Sequence, residues 1–561
     1  MDVDESIPEP GESIPEPDEN DDRMVVNSVE GFVWRVDDMK RLHRFLILGS
    51  ETPTYYIVRP TLGKENARAI LNLLQGGRGV EVVNEILKFS TQGRTVKQDP
   101  IMLGLAMCAR LGDLPTKRKA YEVLPQICRI PTHLFMFVGF CEMLSSPSTG
   151  WSRAHRNAMK NWYIGKASDP MKLAMDVTKY QKREGWSHRD VARLTHLKPD
   201  AANVPDGLFA IMMYIARGWN EVKQFYFPED GTPPDRSTMT TKVLKFLEAV
   251  EDVKQLTVSD VSQVVDLILT HNLVREHIPT ACLKSIEVWR ALAKKMPMTA
   301  MIVNLGRMTS IGLLAEKSQE TRNVCEKLQN AQLLRHARIH PFKVLVALKT
   351  YIDGHADKGK LSWTPNEEIV EALEKAFYYS FKHVESTQKR YLLALDVSGS
   401  MSYVGCAGTP CITPRVASAA MSMLVAKTEA EHHFVAFSNE IIPLMIDKDM
   451  SLDEVLALMK LIPMGGTDCA LPMKYAIEKD LEIDVFVVYT DCETRKVDIQ
   501  PSEALRQYRE HSGIRDAKLI VVAMTSNGFT IADPDDPGMF DMAGFDSAAP
   551  EVMREFILGN I

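Results

Sequence analysis

The sequence predicts a multidomain protein in which an all-α region of irregular, HEAT-like helical repeats precedes an α/β domain with a doubly wound parallel sheet. Three observations carry this prediction. Apolar residues recur at three- and four-residue spacings from about residue 30 to 385. After residue 390, β-rich apolar runs alternate with helical stretches. The length of 561 residues also exceeds what one hydrophobic core usually serves.

Residues 1–24 predict a disordered acidic tail. They contain Glu-Ser-Ile-Pro-Glu-Pro twice, at 5–10 and 12–17, and carry ten acids against one arginine. A segment with few apolar residues, many prolines and charges of one sign does not bury enough surface to fold. We expect no chemistry from it.

Residues 25–385 predict short helices joined by short turns. Helices of this number and length favour stacked pairs of the HEAT or armadillo kind, here without a strict sequence period. The predicted helices are 32–48, 64–74, 80–90, 100–110, 117–127, 131–144, 151–163, 171–183, 187–196, 207–217, 240–250, 259–270, 280–296, 299–313, 319–334, 341–350 and 366–382.

Residues 386–561 predict the α/β domain. Its strands are expected at 391–395, 433–437, 484–489 and 518–523, separated by helices at 413–430, 451–461, 470–480 and 502–511. Strand–helix alternation of this length is typical of a parallel, doubly wound sheet.

Five oxygen-bearing residues lie in three patches of this domain. They are Asp396, Ser398 and Ser400 in Leu-Asp-Val-Ser-Gly-Ser-Met, Thr467 in Gly-Gly-Thr-Asp, and Asp491 in Val-Val-Tyr-Thr-Asp. An α/β sheet presents ligands at the carboxyl ends of its strands, and carboxylates and hydroxyls are donors that Mg²⁺ prefers. We therefore expect one divalent cation, best matched by Mg²⁺. The pattern resembles the metal-ion-dependent adhesion site of von Willebrand factor A domains, with all five positions present.

Other readings of this motif fit less well. A haloacid-dehalogenase phosphatase needs a second carboxylate where Ser398 stands, and a nucleophile elbow needs glycines where Asp396 and Ser400 stand. A two-metal nuclease or phosphatase needs a carboxylate-rich cluster. The plainest alternative is that these are turn residues that cap strands and helices. The motif adds no poised base or nucleophile, so we expect a binding site and not an enzyme.

The charge of the chain is strongly partitioned. The net charge is −9 over residues 1–24, +14 over 25–390 and −13 over 391–561, which leaves −8 for the whole. A basic middle between acidic ends predicts a polyanionic partner for the middle, although a solvated surface would show the same excess.

The basic residues concentrate in 151–200, which holds eleven Lys or Arg, five acids and three His. One helix places Arg153, Arg156 and Lys160 on one face and Ala154, Ala158 and Trp162 on another. We assign Lys172, Lys179, Lys182 and Arg183 to the next helix. Ser187 is expected to cap a third helix, with Arg189, Arg193 and His196 on one face and His188 and Lys198 near its ends.

Basic side chains with few paired acids hold phosphate backbones, and nearby histidines can stack on unpaired bases. Twelve residues are therefore candidate RNA contacts: Arg153, Arg156, Lys160, Lys172, Lys179, Lys182, Arg183, His188, Arg189, Arg193, His196 and Lys198. The alternative interpretation is that these residues form a solvated helix face with no ligand. A rival function is a metal-dependent protein-interaction adaptor with RNA binding incidental.

Longer stretches identify a family. Cys-Arg-Ile-Pro-Thr-His-Leu-Phe (128–135), Thr-Lys-Tyr (178–180), Gly-Trp-Ser-His (185–188), His-Leu-Lys-Pro (196–199), Leu-Ala-Leu-Asp-Val-Ser (393–398) and Met-Thr-Ser-Asn-Gly-Phe-Thr-Ile-Ala-Asp-Pro-Asp-Asp (524–536) look like the Ro autoantigen family. These are TROVE-domain proteins of small cytoplasmic ribonucleoproteins, and the resemblance covers about residues 30 to 561. The loop 403–414, with Cys406 and Cys411, looks particular to this chain.

The resemblance implies a ring of helical repeats closed by a von Willebrand factor A-like domain. It implies Y RNA on the outer basic surface at 151–200, with His188 and its neighbouring Arg and Lys as contacts. Single-stranded 3′ ends of misfolded noncoding RNAs, such as defective 5S rRNA precursors, would enter the central hole. The implied role is Y RNA stabilisation and noncoding RNA quality control without catalysis. A protein ligand with an acidic side chain, a ribonuclease among the candidates, would meet the metal.

Composition adds expectations about location. The nine cysteines are scattered without a C-x-x-C pair, which predicts free thiols in a reducing compartment. No apolar run reaches the length of a membrane span, and the N-terminus is acidic where a signal peptide is basic and then apolar. We expect a cytoplasmic protein, also nuclear in part, with no membrane partner and a single copy apart from RNA.

Overall fold

The computed structural model describes most of the chain. The described residues are 24–26, 32–34, 37–49, 54–56, 62, 67–92, 95, 97–145, 150–196, 206–229, 231, 236–356, 359–407, 409–437, 440–463, 468–490, 499–524, 533 and 536–560. The predicted acidic tail therefore lies outside the described residues, apart from Met24. Within the described part no helix is long and apolar enough to cross a membrane.

The first two thirds of the described chain is a series of short helices. In chain order these are α1 Asp38–Leu48, α2 Arg68–Gln75, α3 Gly79–Gln92, α4 Asp99–Leu111, α5 Leu114–Ile127, α6 Pro131–Ser145, α7 Arg153–Ile164, α8 Pro170–Lys179, α9 His188–Thr195, α10 Asp206–Arg217, α11 Trp219–Tyr226, α12 Thr238–Gln255, α13 Val261–His271, α14 Ile286–Lys294, α15 Met298–Ser310, α16 Gln319–Leu328, α17 Ala331–His336, α18 Pro341–Asp353 and α19 Glu367–Ser380. Short strands also occur: β1 Met24–Val26, β2 Phe32–Trp34, β3 Thr54–Tyr56, β4 Lys182–Arg183 and β5 Trp186–Ser187.

Each helix packs mainly on its neighbours in sequence. α4 contacts α3, α5 and α6, and α10 contacts α8, α9, α11 and α12. The helices carry clear start signals, such as Asp113, whose carboxylate accepts from the Thr116 amide at 2.9 Å before α5. Neighbour-to-neighbour packing of short helices is the arrangement of a helical-repeat solenoid, and the predicted fold class of this region is confirmed.

Several predicted element bounds are wrong. Residues 32–34 form strand β2, paired antiparallel with β1, and the helix begins only at Asp38. The predicted helix 319–334 is two helices, because the Asn330 side chain accepts from the Leu333 amide and starts a new one. The predicted helix 280–296 begins only at Ile286, with Ser285 as its cap.

The C-terminal third contains the α/β domain. Its strands are β6 Tyr391–Asp396, β7 His432–Phe437, β8 Ile441–Leu444, β9 Val485–Thr490, β10 Lys518–Ala523 and β11 Met539–Ala543, and its helices are α20 Pro414–Thr428, α21 Leu452–Lys460, α22 Leu471–Glu478, α23 Pro501–Ser512 and α24 Ala549–Ile557. The sheet order is β3-β11-β10-β9-β6-β7-β8, and only β8 is antiparallel to its neighbour. The four predicted strands are confirmed, and β8 and β11 are additional.

Side chains alternate between the two faces of this sheet along each strand, and both faces are buried. In β6, Leu393 and Leu395 belong to the core that is continuous with the helical region. Leu392 and Ala394 point to a second core, which includes Tyr508 of α23. The sheet is therefore packed against the helical region on one side and against its own helices on the other.

The helical series joins the α/β domain at both of its ends. Near its start, β3 pairs in parallel with β11, where Thr54 lies opposite Asp541. Near its end, Phe342 of α18 packs edge to face on Phe545, and the Thr350 hydroxyl lies 3.4 Å from the Cys411 sulfur. Both ends of the helical series therefore contact the α/β domain, as they would in a ring. The predicted division at 385/386 misses β3, a segment of the N-terminal region that completes the second domain's sheet.

Candidate nucleic-acid interface and candidate metal centre

The basic segment 151–196 folds into three helices and a small hairpin. Ser152 caps α7 by accepting from the His155 amide at 3.2 Å, and one face of this helix, including Ala158 and Trp162, is buried. Ala154 was expected to pack with them but is exposed. Arg153 is exposed and Lys160 is half-buried, while Arg156 is half-buried and its Nε donates to the Trp151 carbonyl at 2.8 Å.

The helix predicted for 171–183 ends at Lys179. Lys182 and Arg183 lie on β4, which pairs with Trp186 and Ser187 of β5. The turn between the strands places Glu184 and Gly185 at positive φ values of 49° and 78°, where glycine is at ease. The assignment of Lys182 and Arg183 to the helix is therefore wrong. The hairpin instead exposes both side chains to solvent.

Helix α9 follows the hairpin as the sequence predicts. Ser187 accepts from the Asp190 amide at 3.2 Å, and the Asp190 carboxylate accepts from the Ser187 amide at 3.0 Å, which is a complete capping box. Arg189 and Arg193 are exposed on this helix, and His196 ends it in the left-handed conformation. Lys198 lies outside the described residues.

His188 is the clear exception among the twelve candidates. Only 4% of its surface is exposed, its Nδ1 lies 2.8 Å from the Tyr163 hydroxyl, and Phe135 packs on its ring. Burial lowers the pKa of His188 to about 3, so the imidazole is neutral near pH 7. The expectation that His188 lies on the solvent-facing surface is wrong, because its side chain lies on the buried face of α9 together with Val191, Ala192 and Thr195.

Most of the exposed cations have no acidic partner. Lys179 lies 3.8 Å from Glu276 and Arg193 lies 3.9 Å from Asp190. Within the described part of the chain, seven candidate cations form no ion pair: Arg153, Lys172, Lys182, Arg183 and Arg189, which are exposed, and Arg156 and Lys160, which are half-buried. The local acids are used elsewhere, since Asp169 caps α8 and Asp176 is buried near Lys166. Cations without an acidic partner among the described residues, on adjoining elements, are the arrangement expected of an anion-binding face.

A cleft opens beside this face that the sequence did not indicate. It has a volume of about 280 Å³. Its lining residues are Val177, Gln181, Ser187, His188, Arg189, Tyr214, Ile215, Gly218, Trp219 and Glu251. Helix α11, which contributes Trp219, was also missed by periodicity. Trp219 and Glu251 lie thirty-two residues apart on different helices, so no short sequence pattern relates them.

The candidate metal motif lies at the point where the strand order of the sheet reverses. The chain leaves β6 toward β7 and β8, then returns to β9 on the other side of β6. Asp396 ends β6 and Thr490 ends β9, so both stand at the carboxyl edge of the switch point, where α/β folds bind ligands.

Three of the five expected ligands are described, and they are adjacent. Asp396 is fully buried; its Oδ1 accepts from the Ser398 amide at 2.7 Å and its Oδ2 from the Thr490 hydroxyl at 2.9 Å. The Ser398 and Ser400 hydroxyls lie 3.1 Å apart on a 3₁₀ turn. Thr467 and Asp491 lie outside the described residues. Oxygens alone, on one turn at a strand end, are a donor set that fits Mg²⁺.

The loop that follows the motif joins neighbouring elements. The Ala407 amide donates to the Met524 carbonyl and the Thr409 hydroxyl to the Phe545 carbonyl, at 2.9 and 2.6 Å. Cys406 is buried, and the eight described cysteines are free thiols. The motif loop is thus anchored to the ends of β10 and β11.

Comparisons with known proteins agree with this architecture. The family model of the TROVE domain matches residues 25–350, and that of the Ro60 vWA domain matches residues 390–557. The chain is 38% identical to the RNA-binding protein RO60 of Caenorhabditis elegans, over 96% of this chain and 91% of that protein. It is 35% identical to the RNA-binding protein RO60 of Deinococcus radiodurans, over 96% of both chains.

The structure also resembles a solved one. The crystal structure of the Deinococcus radiodurans RO (RSR) protein superposes with a TM-score of 0.82 at 33% identity, over 94% of this chain and all of that chain. Helical repeats joined to a von Willebrand A-type sheet define the class of TROVE–vWA proteins. Within that class, the chain belongs to the Ro60 family, and the resemblance that the sequence carried is confirmed. Both curated relatives are named as RNA-binding proteins and not as enzymes.

Proposed function

We propose that this protein binds RNA and serves as the protein core of small noncoding ribonucleoproteins. The observation that carries the proposal is the set of five exposed cations on α7, α8, β4 and α9 that form no ion pair with any described residue. Their ammonium and guanidinium groups would replace counterions along a phosphate backbone. The relatives' names support the same class of ligand.

The finer proposal concerns which RNAs are held and where. A structured RNA of the Y RNA kind would lie on the basic face. Unpaired 3′ ends of misfolded RNAs, such as 5S rRNA precursors, would enter the central hole that a ring of helical repeats would enclose. The protein would stabilise the first and retain the second in the cytoplasm, without catalysing a reaction.

The metal motif supplies a second binding activity in the same proposal. Asp396, Ser398 and Ser400, with Thr467 and Asp491, would hold one divalent cation such as Mg²⁺. The cation would offer an open position to an acidic side chain of a protein partner, for which a ribonuclease is one candidate. The motif's own residues orient the site: Thr490 and the Ser398 amide hold the Asp396 carboxylate in place.

The test is crosslinking and sequencing of RNA bound to the protein in its own cells. Lys182→Glu with Arg183→Glu reverses two exposed charges without touching the core. Arg156 is a poorer choice, because its hydrogen bond to Trp151 supports α7. We expect wild type to recover a few small structured RNAs and the charge-reversal variant to lose them.

A matched variant, Ser398→Ala with Ser400→Ala, should keep these RNAs and lose metal-dependent protein partners. If wild type recovers no RNA above background while the Ser398/Ser400 variant loses a partner, the protein is instead a metal-dependent adaptor with RNA binding incidental. Equal RNA recovery by wild type and the charge-reversal variant would contradict the assignment of the basic face.

A further inference from the structure

The cleft of about 280 Å³ beside the basic face has the size of a site for one ring system. Its floor is apolar, formed by Val177 of α8 and Ile215 of α10. The half-buried Trp219, the first residue of α11, forms part of the wall. Flat apolar surfaces of this kind receive the face of an aromatic ligand.

The cleft also contains a polar atom with unused hydrogen-bonding capacity. His188 lines the cleft, and its buried Nε2 has no hydrogen bond of good geometry among the described residues, although the Tyr180 backbone also interacts with the ring. The other ring nitrogen is paired with the Tyr163 hydroxyl at 2.8 Å. Because the imidazole is neutral, Nε2 carries either a proton or a lone pair, and in both cases a ligand in the cleft would satisfy it.

A second polar group that lines the cleft is the Glu251 carboxylate. Glu251 accepts from the Tyr214 hydroxyl at 2.5 Å and from the Lys254 ammonium at 2.6 Å. Both donors reach Oε1, so within the described part of the chain Oε2 stays available to accept. Gln181 lines the cleft too, and its Nε2 donates to the Thr178 carbonyl at 3.0 Å.

Arg189 connects the cleft to the cationic face, because it lines the cleft and is exposed on α9. It forms no ion pair with any residue of the described ranges. A phosphate that joins a nucleotide in the cleft to its neighbours would meet this guanidinium.

We propose that this cleft receives a single unpaired nucleobase of the bound RNA. The base would stack on Trp219, hydrogen-bond to His188 Nε2 and Glu251, and leave its phosphate at Arg189. Single-stranded bases are recognised in this way, by stacking on aromatic rings and pairing along the base edge. The inference rests on the proposed RNA-binding function and adds to it a base-reading position.

The chemistry of Glu251 favours guanine among the four bases. A carboxylate only accepts hydrogen bonds, and the Watson–Crick edge of guanine offers adjacent N1–H and N2–H₂ donors. Guanine also carries the O6 and N7 acceptors that would suit a protonated His188 Nε2. Uracil offers the carboxylate a single donor flanked by carbonyl oxygens, which repel it.

The experiment measures the affinity of the full-length protein for four labelled RNAs at one salt concentration. The probes are a uridine nonamer, the same strand with a central guanosine, the same strand with a central abasic residue, and a fully paired hairpin. We expect wild type to bind the guanosine strand about 10-fold more tightly than the abasic strand, since stacking on an aromatic side chain contributes about that factor.

Two variants and one matched control separate the contributions. Trp219→Ala should remove the guanosine-to-abasic ratio, and the near-isosteric Glu251→Gln should reduce the preference for guanosine over uridine. Neither should change hairpin affinity. Phe225→Ala removes an exposed ring of the same helix that does not line the cleft, and it should preserve both ratios.

The outcomes distinguish this inference from the proposed function. If Trp219→Ala keeps the guanosine-to-abasic affinity ratio and binds the hairpin normally, the cleft does not bind a nucleobase, while the proposed RNA-binding function is retained. Equal losses for all four probes in both cleft variants would show a general structural effect and also overturn the inference. If wild type binds none of the probes, the proposed function fails and the inference fails with it.

Discussion

The salt dependence of RNA binding gives the sharpest test of the basic face. The perturbation is the triple neutralisation Arg153→Gln, Lys172→Gln and Arg183→Gln. These side chains lie on α7, α8 and β4, are exposed, and pair with no acid in the part of the chain that the structure describes. Removing them therefore changes charge without leaving an acid unpaired or opening the core.

The expected magnitude follows from counterion release. Each phosphate contact contributes about 0.9 to the slope of log affinity against log salt, so the triple variant should flatten the slope by about 2.7. At 0.15 M salt this corresponds to a loss of about 5.5-fold per contact, or about 170-fold for three independent contacts.

The assay is fluorescence anisotropy of a labelled stem–loop RNA, titrated at several salt concentrations between 50 and 300 mM. The control triple variant is Arg78→Gln, Lys119→Gln and Lys479→Gln, whose cations are already paired with acids at 2.7, 2.9 and 2.7 Å. We expect the control to keep the wild-type slope. A basic-face variant with the wild-type slope would refute the reasoning, because its three cations would then contact no phosphate.

Three other predictions follow from single sites. His188 is neutral and buried in the folded protein and titrates near pH 6.5 in the unfolded chain, so the free energy of unfolding falls below pH 6.5, by about 1.4 kcal/mol at pH 5.5. In urea unfolding at pH 7.5 and 5.5, His188→Gln should lose correspondingly less stability at the lower pH than wild type. An equal loss in both proteins would contradict this. Ser398→Ala with Ser400→Ala should abolish Mn²⁺ binding in calorimetry while RNA affinity stays unchanged, and retained Mn²⁺ binding would remove these hydroxyls from the site. In Gly405→Ala the new Cβ would lie 2.2 Å from the Pro410 carbonyl oxygen, so the loop must shift at a cost of about 1–3 kcal/mol, measured as a lower Tm; an unchanged Tm would show that the loop yields freely.

The sequence by itself determined the order of the two architectures and most of their elements. The α/β strands were predicted within one or two residues, because parallel strands buried on both faces are continuous apolar runs with sharp ends. The adjacency of the candidate metal ligands was equally readable, since Asp396, Ser398 and Ser400 lie on one turn and need only local structure to meet. The capping box at Ser187 and Asp190 was local as well, and its predicted N-cap is confirmed.

Only the tertiary structure decided which of the basic-segment residues face solvent. His188 and Arg189 are neighbours in sequence, yet one is buried against Tyr163 and the other is exposed. The sequence pattern did not separate them, because the partner that buries His188 is twenty-five residues away on another helix. Lys182 and Arg183 left the predicted helix for the same kind of reason, since pairing with Trp186 and Ser187 outweighed local helical periodicity.

Long-range contacts alone built the two features that the sequence did not reveal. Strand β3 reaches its partner β11 across almost the whole chain, which closes the series of elements. The cleft assembles Gln181, His188, Trp219 and Glu251 from four separate segments. Hydrophobic periodicity indicates which face of an element is apolar. Which distant segments meet depends on how the helices stack, and no residue spacing in the sequence predicts that.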